Sequence, residues 1–382
     1  MTMKALLEEM RDTMAQGPLR AKALVDEGKT LVGAYCTFMP WEIVNAAGLY
    51  SATLCAKSEK SIPAAEEELP RNLCPLIKSS YGHAITDTCP YFHFCDLVVG
   101  ETTCDGKLKM YELMSKIKDL HLIHLPRSYH RPEDLELIKS EFEKFRRMLE
   151  ERYGVEITDE KLRAAIKLRN RERQALKRLW DLGAADVPLL TGREIQEVAE
   201  GMSFIFDKEE AIAWLHNWLD QVEACGVRDA DLPQTGKGPR LLVTGCPISG
   251  AMKVLDAAQE AGGQVVCFEN CGGLKEMGFY VDETKDPMTA IAEKYLAIGC
   301  SIMSENTHRM DNLRSLMERF KVDGVLDVVL VACHTYAIET SEVRKVVNEA
   351  GRGYLAVETD FSQGDVGQLA TRLGAFVEML EG

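Results

Sequence analysis

The stretch Val325–His334 has the sequence VLDVVLVACH. Apart from Asp327, residues 325–332 form a continuous apolar run, which is typical of a strand buried on both faces in a parallel sheet. Ligands of such sheets bind beyond the carboxyl ends of the strands, where Cys333 and His334 follow. The stretch therefore predicts an α/β protein whose functional site contains a thiol.

The same order of strand and cysteine recurs along the chain. Short apolar runs end at or near five cysteines, and a sixth, Cys74, precedes a helix predicted to begin at Pro75. Free backbone N–H groups at a helix start lower the pKa of a thiol and can donate to cluster sulfurs. Two α/β halves facing each other would therefore gather six thiols: Cys36, Cys74, Cys104, Cys246, Cys271 and Cys333. The cysteines within predicted elements, Cys55, Cys225 and Cys267, are assigned to packing.

The chain of 382 residues exceeds what one core usually holds, which predicts two domains. Residues 1–235 are predicted to form an N-terminal α/β domain with a helical extension over about residues 132–225. A linker rich in Gly and Pro spans residues 226–239. Residues 236–382 are predicted to form the C-terminal α/β domain, and both sheets are expected to be mostly parallel.

Composition narrows the class of protein. The net charge of −15 argues against a nucleic-acid partner. No secretory signal is recognisable, and no apolar run reaches the about 18 residues of a membrane span, so we expect a cytoplasmic protein without a membrane partner. Disulfides are then not expected, and none of the twelve cysteines forms a C-x2-C pair, which argues against zinc ribbons and ferredoxin motifs.

Several strings together resemble one known family. They are GAYCTFMPWEIVNAAGL (33–49), RNLCPLIKSSYG (71–82), DLVVGETTCDGKLKMYE (96–112), TGCPISGA (244–251), ACHTYAIE (332–339) and VETDFSQGDVGQLATR (357–372). The resemblance is to the 2-hydroxyacyl-CoA dehydratase / benzoyl-CoA reductase superfamily, and within it to the double-cubane cluster protein group. It covers essentially the whole chain.

The resemblance implies two Rossmann-like domains with an extra helical region and an iron–sulfur site in the cleft between the domains. Dehydratase subunits hold one [4Fe–4S] cluster with three cysteines, which match Cys74, Cys104 and Cys333. The double-cubane group adds three thiolates and holds an [8Fe–9S] cluster. By motif position the additional ligands are Cys36, Cys246 and Cys271, with Cys300 and Cys89 as alternates.

The resemblance also implies a function. The chain would be a homodimeric iron–sulfur reductase of small molecules that receives low-potential electrons from a dimeric ATPase carrying its own [4Fe–4S] cluster. Its one Gly-rich turn, GCPISGAMK (245–253), lacks the G-K-[ST] ending of a nucleotide-binding loop and does not fit G-x-G-x-x-G, which agrees with an external electron donor.

Alternatives remain open at this point. The chain could be a subunit of a 2-hydroxyacyl-CoA dehydratase with a single [4Fe–4S] cluster, a non-catalytic electron-transfer protein, or a structural zinc protein. His334 is a candidate proton donor and Glu358 a candidate general acid, because both follow predicted strands. Equally, His334 could be an ordinary loop histidine, and Glu358 could cap the next helix.

Overall fold

Two four-stranded sheets, each entirely parallel, form the centre of the protein. The computed structural model describes residues 1–382. The first sheet has the order β2-β1-β3-β4 and the second has the order β6-β5-β7-β8. Their bounds are β1 Leu31–Ala34, β2 Tyr50–Thr53, β3 Leu97–Glu101, β4 Leu120–Ile123, β5 Arg240–Gly245, β6 Gln264–Glu269, β7 Gly324–Leu330 and β8 Gly353–Thr359. The predicted fold class, two Rossmann-like α/β domains, is confirmed.

Seventeen α-helices surround and connect these sheets. They are α1 Met3–Ala15, α2 Gly17–Asp26, α3 Trp41–Ala46, α4 Ile62–Ala65, α5 Pro75–Ile85, α6 Pro90–Phe94, α7 Asp105–Met114, α8 Pro132–Tyr153, α9 Asp159–Asp181, α10 Gly192–Gly201, α11 Lys208–Cys225, α12 Lys253–Glu260, α13 Leu274–Met277, α14 Pro287–Leu296, α15 Thr307–Arg319, α16 His334–Glu349 and α17 Val366–Glu381. The region predicted as a helical extension, about residues 132–225, is helical: α8 begins at Pro132 and α11 ends at Cys225. Its assignment to the N-terminal domain stays a prediction.

Both sheets place the functional edge in the same way. In each, the second strand pairs on one side of the first strand and the third strand pairs on the other side. The chain therefore builds each sheet outward in two opposite directions from its first strand. The direction changes between β1 and β3 in the first sheet and between β5 and β7 in the second. A crevice forms beyond the carboxyl ends at such a reversal, and it is the usual ligand site of open parallel sheets.

The hydrophobic cores include segments from distant parts of the chain. The core around the second sheet includes α1 and the helices α9 to α11, and Trp218 on α11 donates its ring N–H to the carbonyl of Leu6 at 3.0 Å. The core around the first sheet includes α8 and residues 281–303. A third core joins the two sheets and contains Tyr35 and Tyr336. The domain boundary at residue 235 stays a prediction, and both main cores contain residues from either side of it.

None of the seventeen helices is both long enough and apolar enough to cross a membrane.

Candidate metal centre

A cavity of about 610 Å³ lies beyond the carboxyl ends of both sheets. Its wall contains eight of the twelve cysteines: Cys36, Cys55, Cys74, Cys104, Cys246, Cys271, Cys300 and Cys333. All six thiols predicted as ligands therefore face one space, together with the alternate Cys300. The other alternate, Cys89, does not line this cavity; it caps α6 and accepts the N–H of Phe92 at 3.5 Å.

Cys55 is the cysteine whose position differs from its predicted assignment. The sequence assigned it to packing, but it lies two residues beyond β2 and lines the cavity. Its thiol donates to the carbonyl oxygen of Tyr35 at 2.9 Å, and the ammonium group of Lys107 donates to the same oxygen at 2.9 Å. Its position two residues beyond a short strand could have identified Cys55 as a residue of the site.

Two left-handed residues turn the chain at the ends of the second sheet's central strands. Gly245, at the end of β5, has a φ of 101°, and a Cβ at this position would lie 2.2 Å from the carbonyl oxygen of Val328. Ala332 has a φ of 59°, a conformation that costs free energy for a residue with a side chain. Cys246 and Cys333 follow these residues directly, so both turns direct a thiol-bearing residue to the cavity.

Three of the thiols occupy helix starts. Cys74 precedes α5, Cys104 precedes α7 and Cys333 precedes α16, each as the residue at the N-cap. The first N–H groups of a helix lack partners within the helix, and its dipole favours negative charge at this end. These positions are suited to thiolates and to anionic cluster sulfurs.

The thiols surround a volume and do not converge on one point. No group of three or more His, Cys, Asp or Glu side chains is arranged to hold a single metal ion. Two of the sulfurs instead contact neighbouring protein groups: the Cys246 sulfur accepts the N–H of Leu330 at 3.3 Å, and the Cys333 sulfur lies 3.9 Å from the hydroxyl of Thr335. A centre that used all these thiols would contain several metal ions.

Comparison with known proteins gives the family. The family model described as "2-hydroxyglutaryl-CoA dehydratase, D-component" matches residues 36–380, which include all eight cysteines of the cavity. The chain belongs to this D-component family. It is 48% identical over 379 residues to the "Putative dehydratase subunit YjiM" of Escherichia coli (strain K12), covering 98% of each chain. It is 21% identical over 366 residues to the "(R)-phenyllactyl-CoA dehydratase beta subunit" of Clostridium sporogenes, covering 94% of each.

Burial controls the acidity of most thiols in this D-component. It raises the pKa of Cys74 to about 12, with the Cys333 thiol acting in the same direction. Burial likewise raises the pKa of Cys36, Cys55, Cys246 and Cys300. The pKa of Cys333 moves the other way, because interaction with the neighbouring Cys246 thiol lowers it to about 6 and the N–H of Tyr336 adds to that effect. Metal binding would displace protons from most of these thiols.

Two buried ammonium groups lie among the thiols. Lys275 is 1% exposed and contacts the hydroxyl of Tyr336. Burial alone would lower its pKa, but the thiols of Cys271 and Cys300 and the carboxylate of Glu269 raise it above its ordinary value. Lys107 is 8% exposed and its pKa is also raised despite burial. Both cations can offset the negative charge of a thiolate-bound cluster.

A paired set of charges forms another part of the cavity wall. Arg169 contacts Glu172, Lys208 lies 3.1 Å from Glu172, and Arg169 lies 3.8 Å from Glu276. Burial would raise the pKa of Glu172, but Arg169 and Lys208 lower it to about 2. This wall offers fixed charges of both signs to a small polar molecule. None of its charged residues was predicted from the sequence as part of the site.

The two predicted proton donors occupy different places. His334 lines the cavity and is exposed to solvent, as expected for a residue at its rim. Glu358 lies near the end of β8, is exposed and does not line the cavity. The catalytic roles of both residues stay predictions.

Proposed function

We propose that this chain is the iron–sulfur component of a reductase that acts on small molecules. It would bind a double-cubane [8Fe–9S] cluster and receive low-potential electrons from a separate ATP-hydrolysing protein. The observation that carries the proposal is that all six predicted ligand thiols line one cavity. A single [4Fe–4S] cluster uses at most about four cysteines, so six favour a larger centre.

The chemistry of the cavity fits such a group. The sulfur donors are thiols, the ligands that hold iron–sulfur clusters. The residues that would hold it are Cys36, Cys74, Cys104, Cys246, Cys271 and Cys333. When bound, the cluster would supply one-electron transfer at low potential.

The chain's own residues have three tasks in this proposal. The helix starts at Cys74, Cys104 and Cys333 place backbone N–H groups toward negative charge. The buried ammonium groups of Lys107 and Lys275 balance that charge, which would otherwise be costly to bury. His334, at the rim, holds the proton that the reduced substrate takes up, and the wall of Arg169, Glu172 and Lys208 orients a small polar substrate.

The proposed electron donor follows from the family resemblance, and the names of the family and of the relatives support it. The donor would be a dimeric ATPase with its own [4Fe–4S] cluster, and the chain itself would be a homodimer. The family is described as a "D-component", and relatives are named as subunits, which supports an assembly of several parts. The turn at residues 245–253, without a G-K-[ST] ending, is consistent with ATP binding elsewhere.

A second candidate is favoured by the names of the relatives. These are dehydratase subunits, and a dehydratase role would use a single [4Fe–4S] cluster held by Cys74, Cys104 and Cys333. The substrate would then be a 2-hydroxyacyl-CoA, and a further subunit would be needed. A non-catalytic electron-transfer protein would have the cluster without turnover.

Metal analysis separates the two enzymes. Protein purified without oxygen should contain about eight irons per chain for the double cubane and about four for the dehydratase cluster. Stoichiometric zinc without sulfide would contradict both. This measurement needs no knowledge of the substrate.

A turnover assay then tests the function itself. The iron-loaded protein is mixed with the activating ATPase, ATP and a low-potential reductant, and oxidation of the reductant is followed with candidate small molecules. Formation of an unsaturated acyl-CoA from a 2-hydroxyacyl-CoA would support the dehydratase. ATP-dependent electron consumption with small molecules and no dehydration would support the reductase. Failure of every acceptor to increase electron consumption would favour the electron-transfer protein.

A further inference from the structure

One side of the cavity is built from the helical extension and has no thiol. Helix α9 contributes Arg169 and Glu172 to it, and α10 contributes Gln196, Ala199 and Glu200. Residues three or four positions apart share one face of a helix, and α9 and α10 contact each other. The cavity-lining residues between positions 169 and 208 are called the helical wall below. The cavity therefore has two sides of different chemistry.

Both cations of the helical wall already have a carboxylate partner. Arg169 contacts Glu172, and Lys208 lies 3.1 Å from the same carboxylate. The other carboxylate of the wall, that of Glu200, contacts the ammonium group of Lys57, which follows β2 and also lines the cavity. An anionic ligand would have to compete with these carboxylates, whereas an uncharged ligand leaves every pair intact.

The other two Lys or Arg residues of the cavity lining lie on its thiol side. Lys107 donates to the carbonyl of the residue before Cys36 at 2.9 Å, and Arg127 donates to the carbonyl of the residue before Cys104 at 2.7 Å. Both positive charges are thus beside proposed cluster ligands. The helical wall is left without an unpaired cation that could bind an anion.

Two polar atoms of the helical wall lack hydrogen-bond partners. Gln196 is 3% exposed, and its Oε1 accepts no hydrogen bond. On the adjoining helix α9, the Nε of Arg169 donates none. Native proteins seldom leave buried polar atoms unpaired unless a ligand or a water completes them. The wall therefore lacks one donor for Gln196 and one acceptor for Arg169, and Ala199 adds apolar surface beside them.

We propose that Gln196 binds the substrate at the helical wall, and that this substrate is a small uncharged molecule with both a hydrogen-bond donor and an acceptor. A primary amide has this chemistry. The inference rests on the proposed function, because it names the substrate class of the reductase. It disfavours an acyl-CoA at this wall, since its phosphate groups are anionic.

The first test compares three probes of similar size that differ in charge: propionamide, propionate and propylammonium. Each is titrated by calorimetry into the full-length, iron-loaded wild type without oxygen. Propionamide should bind at least about tenfold more tightly than either ion, because it can complete the unpaired groups without breaking an ion pair. This comparison needs no variant and no electron donor.

The second test removes the carboxamide. Gln196→Met keeps the length of the side chain and should weaken propionamide binding about tenfold, because the hydrogen bond is lost. Gln368→Met, at an exposed position of α17 outside the cavity, is the matched control and should bind propionamide like the wild type. A crystal structure of the wild type with propionamide locates the probe whether or not the variant folds.

The inference would be overturned by equal binding of the three probes, by tighter binding of either ion, or by no measurable binding of propionamide. Unchanged propionamide affinity in Gln196→Met, or a probe bound away from Gln196 in the crystal, would overturn it as well. None of these results alters the iron content, so a protein with about eight irons per chain would keep the proposed function. Absence of iron from the wild type would instead overturn the proposed function.

Discussion

The acidities of the Cys246 and Cys333 thiols move in opposite directions. Burial raises the pKa of Cys246, whereas interaction with the Cys246 thiol lowers the pKa of Cys333 to about 6. Metals bind the thiolate form of cysteine, so a lower pKa favours metal binding at Cys333 over Cys246.

Removal of a predicted ligand should have a different effect from removal of a packed cysteine. Cys104→Ala and Cys333→Ala should lose iron, because each removes a thiol from the cavity. Cys267→Ala removes a fully buried thiol within β6 and should cost about 1–2 kcal/mol of stability while leaving iron unchanged. Iron analysis and chemical unfolding check this. Loss of iron from Cys267→Ala, or full retention in Cys333→Ala, would contradict it.

Glu101 should make stability depend on pH. It is fully buried without a hydrogen-bond partner for its carboxylate, and burial raises its pKa from 4.5 to about 8. The folded state keeps this proton in a range where the unfolded chain has lost it, so stability falls as the pH rises from about 4.5 to 8. Glu101→Gln should remove this fall. Unfolding midpoints of Glu101→Gln and of the wild type are compared at each pH. The midpoint of the variant minus that of the wild type should increase between pH 5 and pH 8.

A substitution at an exposed glutamate controls for the change in net charge that Glu101→Gln makes. Glu8→Gln, on the surface of α1, makes the same change in net charge and should show a nearly constant difference from the wild type. A constant difference for Glu101→Gln as well would show that its carboxyl group is not protonated in the folded protein.

At the scale of elements, a buried ion pair joins α3 to α9. The carboxylate of Glu42 lies 2.8 Å from the guanidinium of Arg173, and both side chains are 0% exposed. Tyr295, on α14, donates its hydroxyl to Glu42 at 2.9 Å. The pair therefore holds together three helices that lie far apart in sequence.

Breaking this pair should be much more costly than breaking a surface pair on the same helix. Arg173→Met leaves Glu42 buried without its partner and should cost about 3–5 kcal/mol, while Glu42→Leu/Arg173→Met should recover part of that loss. Arg171 pairs with Glu209 on the surface at 2.6 Å, and Arg171→Met should cost about 0–1 kcal/mol. Urea unfolding measures all three. Equal costs for Arg173→Met and Arg171→Met would contradict the prediction.

The strands were predictable because burial on both faces leaves an apolar run without alternation. The run at residues 325–332 was predicted as one strand, and β7 spans Gly324–Leu330. Hydrophobicity could not locate its end, since Val331 is apolar but 41% exposed. The place of Cys55 beyond the end of β2 was not predicted for a similar reason. The strand has only four residues and a mixed burial pattern, so hydrophobicity does not show where it ends.

The charged wall of the cavity was not predictable from local pattern. Arg169, Glu172 and Lys208 lie on long polar helices, where a buried charge and a solvated charge have the same spacing. Only the packing of α9 and α11 against the sheets decides which of them face the cavity.

At the scale of the whole molecule, the predicted homodimer needs a contact surface outside the buried aromatics of the helical extension. Trp180 and Trp218 are 1% exposed within the chain and are not available to a partner. Light scattering without oxygen should give a particle of twice the chain mass of 42.6 kDa. A particle of 42.6 kDa at micromolar concentration would contradict the homodimer.

The interleaved cores also determine when the chain can become fully structured during synthesis. The core of the first sheet includes residues 281–303, so the ribosome must release most of the chain before that core can close. The amino-terminal helix α1 packs against a sheet whose last strand ends at Thr359. Neither half can therefore complete its core before parts of the other half have been synthesised. The cavity cysteines can come together as a complete set only after Cys333 has left the ribosome, so a centre that uses all of them would assemble late in synthesis.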